Sequence, residues 1–300
     1  RGGRVEQGMV FKAEPEMIEG LKLAGIDIVS TANNHARDRL GHGLEFTLRW
    51  LARHQIAAAG TGAGREAAGS GAVVERKGVR FGFLAYTYDQ ANGNHADQDE
   101  RVMTMDVPAM QAAVARLRTR CDAVVVSMHA GAEYSTRANR QQVEFARAAV
   151  DSGASVVVGH HPHVVQPVEN YGNGVIFYSL GNLVFDQMHR RDTQRGLVAE
   201  VFFRGARLER CLRRGPVAAQ VHQRRKHVLV HRAQDRRGRL SRRRGGGRHA
   251  FEFVAQFERD SFRRLLAHTR DADQHLHLSV ADGRNQLAHR QPGENGHRQF

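Results

Sequence analysis

Three short segments hold most of the residues able to do chemistry: Asn33-Asn34-His35, His129-Ala130-Gly131-Ala132-Glu133 and Gly159-His160-His161-Pro162-His163. Each follows an apolar run rich in Val or Ile. In open α/β sheets ligands gather outside the carboxyl ends of the strands, so three such loops can converge on one ion or one substrate. Neutral imidazole suits zinc, iron, manganese or nickel, and amide or carboxylate oxygens complete such sites. A lone histidine after a strand is ordinarily a satisfied polar residue, but three histidine-bearing loops in equivalent settings form a specific pattern. His161-x-His163 is more specific again, because alternate residues of an extended loop can address neighbouring ions. His42, His54, His95 and His189 lack that setting and read as surface residues.

The elements that must position these loops follow from periodicity. Pro15 opens a helix with Met17, Ile18, Leu21 and Leu23 on its apolar side, and Gly25 closes it. The run 26–32 reads as a buried strand ending at Asn33. Gly41 and Gly43 lead into a second helix with Leu44, Leu48 and Leu51 on one face. Residues 73–75 and 79–87 read as strands joined by a hairpin at Lys77-Gly78, and 89–101 as a polar surface loop. Pro108 opens a helix to about Arg120. Residues 122–128 (D-A-V-V-V-S-M) form the clearest buried strand and stop at His129. A helix over about 138–152 precedes a strand at 155–158, and 175–178 and 197–203 are further strands. Apolar β runs alternating with amphipathic helices predict a sheet covered by helices.

The 300 residues suffice for one large domain or two small ones, with 41% hydrophobic and 7% aromatic residues allowing a core. No apolar run reaches the roughly 18 residues of a membrane-spanning helix, and no signal peptide is visible. The chain opens Arg1-Gly2-Gly3-Arg4, so an upstream segment is expected. Cys121 and Cys211 are too few for a disulfide framework or a Cys-rich zinc site, and Cys121 reads as a buried structural thiol.

At the histidine-bearing segments the sequence resembles the CapA family of bacterial capsule and poly-γ-glutamate synthesis proteins, within the calcineurin-like metallophosphatase superfamily. The matching text is D-I-V-S-T-A-N-N-H-A-R-D (27–38), S-M-H-A-G-A-E-Y (127–134), V-V-V-G-H-H-P-H-V-V-Q (156–166) and I-F-Y-S-L-G-N-L-V-F-D (176–186), in the family's order across about 11–203. The resemblance implies a metallophosphatase-like α/β sandwich, two facing mixed sheets flanked by helices, over residues 1–207. The element pattern alone fits a doubly wound sheet equally well. The resemblance further implies that Asn34, His129, His161 and His163 are metal ligands. It makes His35 the acid or electrostatic stabiliser of the transferring group, and leaves Asp38 either orienting His35 or capping the loop. Glu133 and Asn182 fall in family motifs without an assigned role. His160 is ambiguous: Gly-His-x-His spacing from Gly159 would put Pro162 at the second ligand. The pair is therefore assigned to His161 and His163, with His160 beside them or as an alternative ligand.

The implied cofactor is a divalent metal, two ions of manganese, zinc or iron. The implied function is capsule or poly-γ-glutamate biosynthesis or export with a metallophosphoesterase-type site. The alternatives are a phosphoesterase unconnected with capsule and a non-catalytic assembly component of a polymer-synthesis complex. Expected partners are an anionic polymer or phosphoester and a membrane-bound synthesis complex, in the cell envelope with the domain outside the cytoplasm. The superfamily's Gly-Asp motif and bridging carboxylate have no match here. The stretch therefore reads as a domain lacking its first strands, expected to bind metal weakly and to be inactive by itself.

Net charge is +14, but residues 211–300 carry 20 Lys+Arg against 8 Asp+Glu, while the rest holds 25 against 23. The basic character belongs to the tail, 208–300, and not to the domain. One reading of the tail is binding to nucleic acid or a membrane surface; nucleic acid fits poorly with a near-neutral domain and little aromatic interleaving in the tail, and no nucleic-acid partner is expected. A disordered, solvated tail is a second reading. A shifted reading frame in GC-rich coding DNA is the third and preferred one, since it produces Arg/Gly/His/Gln-rich text such as Arg242-Arg243-Arg244-Gly245-Gly246-Gly247. Resequencing the gene near codon 210 should then find an inserted or deleted base; tail peptides detected in the intact frame would overturn the reading.

Overall fold

The computed structural model describes residues 10–88, 98–185, 187, 189–218, 248–253 and 256–257. A single 3-10 turn, Pro15–Met17, runs into α1 (Ile18–Leu23), and Gly25 ends it in the left-handed region at φ +70°. β1 (Ile28–Ser30) is shorter than the apolar run around it, because only these three residues pair, in parallel, with β2 (Ala57–Ala59). Between them α2 (Leu40–Arg53) includes Gly41 and Gly43 instead of following them. A Cβ on Gly41 would lie 2.4 Å from the Arg101 guanidinium, so this glycine serves close approach and not helix initiation.

α3 (Arg65–Gly69) precedes the hairpin of β3 (Ala72–Arg76) and β4 (Val79–Thr87). Lys77 and Gly78 turn it with φ +54° and +79°, the two positive angles of a type I′ turn. The Asp106 carboxylate accepts from Ala109 N at 2.8 Å and starts α4 (Val107–Arg118). β5 (Ala123–His129) follows. A reciprocal cap between Asn139 and Gln142 starts α5 (Arg140–Asp151). Then come β6 (Val156–His160), β7 (Val168–Tyr171), β8 (Gly174–Phe177), β9 (Asn182–Val184), β10 (Arg195–Arg204), β11 (Arg207–Ala218), β12 (Arg248–Phe253) and β13 (Gln256–Phe257).

The central sheet has the order β3-β4-β5-β6-β8-β7. Its four inner strands are parallel and its two edge strands antiparallel to their neighbours. The inner strands read as unbroken apolar runs because both faces are covered. Leu84, Tyr86, Val124, Val126, Met128 and Val157 point to α4 and α5, whose Val114, Leu117, Phe145 and Ala149 they meet. On the other face Phe81, Phe83, Val125, Val156 and Val158 meet Leu197, Ala199, Val201 and Phe203 of β10 and Leu44 of α2. The Phe81 and Phe203 rings meet edge to face at 5.0 Å.

The architecture is thus α/β, a six-stranded mixed sheet with α4 and α5 on one face and α2 with further strands on the other. The second layer is not one mixed sheet among the described residues. It consists of the β1-β2 pair, the β9-β13 pair and the antiparallel set β11-β10-β12. β11 carries the chain from 207 back along β10, and β12 takes the other edge of β10. Residues 219–247 and 258–300, most of the expected tail, lie outside the described residues, as do His95, residues 89–97 of the expected loop, and Asp186. No described helix is long and apolar enough to cross a membrane. Cys121 is buried, its Sγ–H directed at Leu117 O at 3.2 Å, and burial pushes its thiol pKa up.

Gly159 and Gly196 mark the two tightest approaches. A Cβ on Gly159 would lie 1.9 Å from the Tyr178 carbonyl oxygen, and Leu180 N donates to Gly159 O at 3.0 Å. Gly159→Ala must push one backbone off the other, and should cost about 3 kcal/mol, the upper part of the range for overpacking. Urea denaturation checks this; an unchanged midpoint would contradict it.

Candidate functional site

β5 and β6 run side by side in register, so His129 pairs with His160 and the two leave the sheet edge together. Strand alternation puts Ser127 and His129 on the face that carries Ala123 and Val125. β6 extends two residues beyond the apolar run, so His160 is a strand residue. The backbone then breaks from the sheet with His161 at φ +106° and His163 at +61°. These angles turn both rings back under the edge, where they are 4% and 7% exposed.

The loop after β1 delivers Asn34 and His35. The Thr31 hydroxyl lies 3.0 Å from Ala59 O and 2.6 Å from Thr61 Oγ1, which ties the loop to β2. Asn33 Oδ1 accepts from His35 N at 2.8 Å, a local turn. Arg37 and Asp99, both 8% exposed, pair at 3.0 Å, and Arg101 clamps the same carboxylate at 2.6 and 2.9 Å while reaching Glu45 of α2 at 3.0 Å. Arg101 holds the Asp99 carboxyl below the usual carboxylate range.

His129, fully buried, lies between two partners: its Nε2 is 2.8 Å from Asn34 Oδ1 and its Nδ1 2.6 Å from His160 Nδ1. His160 Nε2 is in turn 2.9 Å from Ser127 Oγ. His163 Nδ1 meets Asn182 Oδ1 at 2.9 Å, and the Asn182 amide donates to Thr193 O at 3.0 Å. That donation orients Asn182, so His163 carries its proton on Nδ1 and turns the Nε2 lone pair elsewhere. His161 makes ring contacts only, with Tyr88 and His129 at 4.7 Å and His163 at 6.1 Å, and has no hydrogen-bond partner among the described residues. His35 Nδ1 lies 2.9 Å from Asp38 Oδ2, which also accepts from Phe11 N at 2.7 Å, and the Phe11 ring meets His35 edge-on at 4.5 Å.

Burial keeps this cluster uncharged. It pulls His161 down to about 3 and His160 down to about 4, with neighbouring imidazoles adding to the effect. His129 is held well below its ordinary value by burial and then by His160, His161, His163 and His35. His163 is lowered by burial and partly restored by Asn182. Neutral imidazoles are what a cation requires, since a ligating nitrogen must offer its lone pair.

A cation fits the donor chemistry. The 2.8 Å between His129 Nε2 and Asn34 Oδ1 suits two neighbouring ligands on one ion, which stand roughly 3 Å apart when each bond is about 2.1 Å. His161 makes ring contacts but no hydrogen bond among the described residues, so its ring nitrogen can offer a lone pair to a ligand. His163 has one nitrogen fixed as donor, leaving the other as acceptor. The described residues nonetheless hold no group of three or more His, Cys, Asp or Glu in ligand geometry. The donors gathered here are imidazoles and an amide oxygen, without a carboxylate to draw them together.

Of the residues singled out in sequence, Asn34, His129, His161 and His163 come together, with His160 behind His129. His35 and Asp38 form a separate pair on the Asn34 loop. Glu133 is exposed and acts on His163 only through its charge. Asn182 is fully buried and orients His163. His42 and His189 are exposed, whereas His54 is half-buried against Trp50. Sequence reasoning missed Ser127, Phe11 and Tyr88. Strand alternation two residues before His129 could have signalled Ser127; Phe11 and Tyr88 carry no local signal.

Fold and site define an α/β protein with a buried cluster of neutral histidines and an amide at the carboxyl ends of parallel strands. The model of the bacterial capsule synthesis protein PGA_cap matches residues 1–187, and the chain belongs to that family. It is 35% identical over 190 residues to the PGA biosynthesis protein CapA of Bacillus subtilis (strain 168), covering 63% of this chain and 50% of that protein. It is 32% identical over 200 residues to the capsule biosynthesis protein CapA of Bacillus anthracis, covering 65% and 49%. The chain thus spans about half the length of these curated relatives.

Acid should test the buried imidazoles. Unfolded histidines bind protons below about 6.5, whereas folded His160 and His161 stay neutral until about 4 and about 3. The unfolded state therefore holds more protons in that window, and stability should fall as pH drops from about 6.5 towards 3–4. Urea midpoints should decline steadily from pH 7 to pH 4.5, less steeply in His161→Asn; a flat profile would contradict neutral burial.

Proposed function

We propose that this chain carries the cation-binding part of a protein acting in synthesis or export of a poly-γ-glutamate-type capsule polymer. The cluster would serve hydrolysis of a phosphoester or a related amide or ester bond. The observation that carries the reading is the convergence of Asn34, His129, His161 and His163 from three separate loops into one water-poor space, in a chain of this family. An acidic polymer or a phosphoester is the matching substrate class, and the cell envelope the matching location.

Asn34 Oδ1 and His129 Nε2 would hold one divalent cation, with His161 and the Nε2 of His163 as further donors. A bound cation supplies a Lewis acid and lowers the pKa of a water molecule. The protein's own contribution is separate. Asp38 holds His35 by Nδ1, which fixes the ring and keeps a proton on that nitrogen. The opposite nitrogen is then the one to meet a leaving oxygen, and His35, with a side chain 25% exposed, is the most accessible of these histidines. Phe11 packs on its edge and limits its rotation.

A second reading, a non-catalytic assembly role, draws support from the absence of a carboxylate among the converging donors in the described residues. Turnover separates the two. Mn2+-dependent hydrolysis of bis(p-nitrophenyl) phosphate or shortening of poly-γ-glutamate by the purified chain, lowered on the order of 100-fold or more in His129→Ala, beyond the effect of removing an outer partner, would establish the hydrolytic reading and overturn the expectation that the stretch is inactive by itself. Polymer binding without Mn2+-dependent turnover would leave the assembly role standing instead.

A further inference from the structure

The hydrogen-bonded row Ser127–His160–His129–Asn34 has a property that none of its members has alone. The Nδ1 atoms of His129 and His160, 2.6 Å apart, can share only one proton. Asn34 Oδ1 is an acceptor, so without a cation the proton order runs one way. His129 donates from Nε2 to Asn34, His160 donates from Nδ1 to His129, and the Ser127 hydroxyl donates to His160 Nε2. In that order the His129 nitrogen facing Asn34 has no lone pair to give.

The reverse order uses the same atoms and the same distances. His129 carries its proton on Nδ1 and donates it to His160 Nδ1, His160 carries its proton on Nε2 and donates it to Ser127 Oγ, and His129 Nε2 presents a lone pair beside Asn34 Oδ1. Going from one order to the other, the His160 Nδ1 proton passes to His129 Nδ1, one proton leaves His129 Nε2 for solvent, and one enters His160 Nε2 through Ser127. Each ring ends with one proton, so the net charge of the buried cluster is unchanged.

We propose that Ser127 and His160 are positioning residues that let His129 exchange tautomers, so that its Nε2 pairs with Asn34 in the cation-free chain and turns its lone pair to a cation when one is held. Ser127 suits this role because a hydroxyl can donate or accept. This inference rests on the reading of His129 as a ligand.

The test uses the full chain with 15N-labelled histidine and Zn2+ as a diamagnetic probe. Two-bond 1H–15N spectra should show His129 protonated on Nε2 and His160 on Nδ1 without zinc, and His129 on Nδ1 and His160 on Nε2 with zinc. Calorimetric titration should give a 10- to 100-fold weaker Zn2+ affinity in His160→Phe, the range for loss of a ligand's outer partner. His160→Gln, whose amide oxygen accepts from Nδ1, should recover most of it. His129 in one tautomer under both conditions would overturn the proposal, as would equal affinity in the wild-type and Phe chains or equal loss in the Phe and Gln chains. A parent chain that binds no zinc sinks the metal reading of His129, whereas the zinc-free spectra test the proton order separately and need no variant that might misfold.

Discussion

His129, His160, His161 and His163 share a space from which water is largely excluded. An imidazolium there would suffer loss of hydration together with repulsion if a neighbour were also charged. The four rings must stay neutral, and a neutral imidazole has one donor and one acceptor nitrogen that each want a defined partner. Asn182 settles the matter for His163, and Asn34 with His160 for His129. His161 is left with ring neighbours alone. The arrangement is stable without charge, and a neutral ring is the form in which an imidazole can offer a lone pair.

Holding that space open strains the backbone. Three of the non-glycine residues with positive φ, Tyr134, His161 and His163, stand at the site, and Leu40 closes the loop that carries Asn34. Each such conformation costs about 1–3 kcal/mol and persists only where the surroundings over-determine it. The surroundings here are the apolar cores on both faces of the central sheet, and the Arg37–Asp99–Arg101–Glu45 network pinning the Asn34 loop to α2. The close crossing at Gly159 belongs to the same support, since it brings the segment bearing Asn182 across β6 to meet His163.

Much of the scaffold was legible in the residues. The unbroken Val runs before His129 and His160 read as doubly covered strands because a strand buried on both faces has no polar side to show. Lys77-Gly78 gave away its hairpin, and Pro108 marked the start of α4. β2, α3, β7, β9 and the strands from β11 to β13 went unread: Ala57–Ala59 is too short and too small-sided for a strand signal, and Val168–Tyr171 is an edge strand with polar residues. The division of the second layer into separate small sheets was also illegible, because it depends on where long-range pairing stops.

By itself the sequence determined which side chains could do chemistry and that they sit at strand ends, since residue type and apolar periodicity are local properties. The family resemblance in those segments pointed to Asn34, His129, His161 and His163 as ligands, with His160 as an alternative. Only the tertiary structure decided which nitrogen of each ring meets which partner. Register between β5 and β6 set His160 against His129, and the crossing over Gly159 set Asn182 against His163. Those contacts span up to 95 positions of chain between Asn34 and His129, and no local pattern encodes a hydrogen bond between residues that only folding makes neighbours.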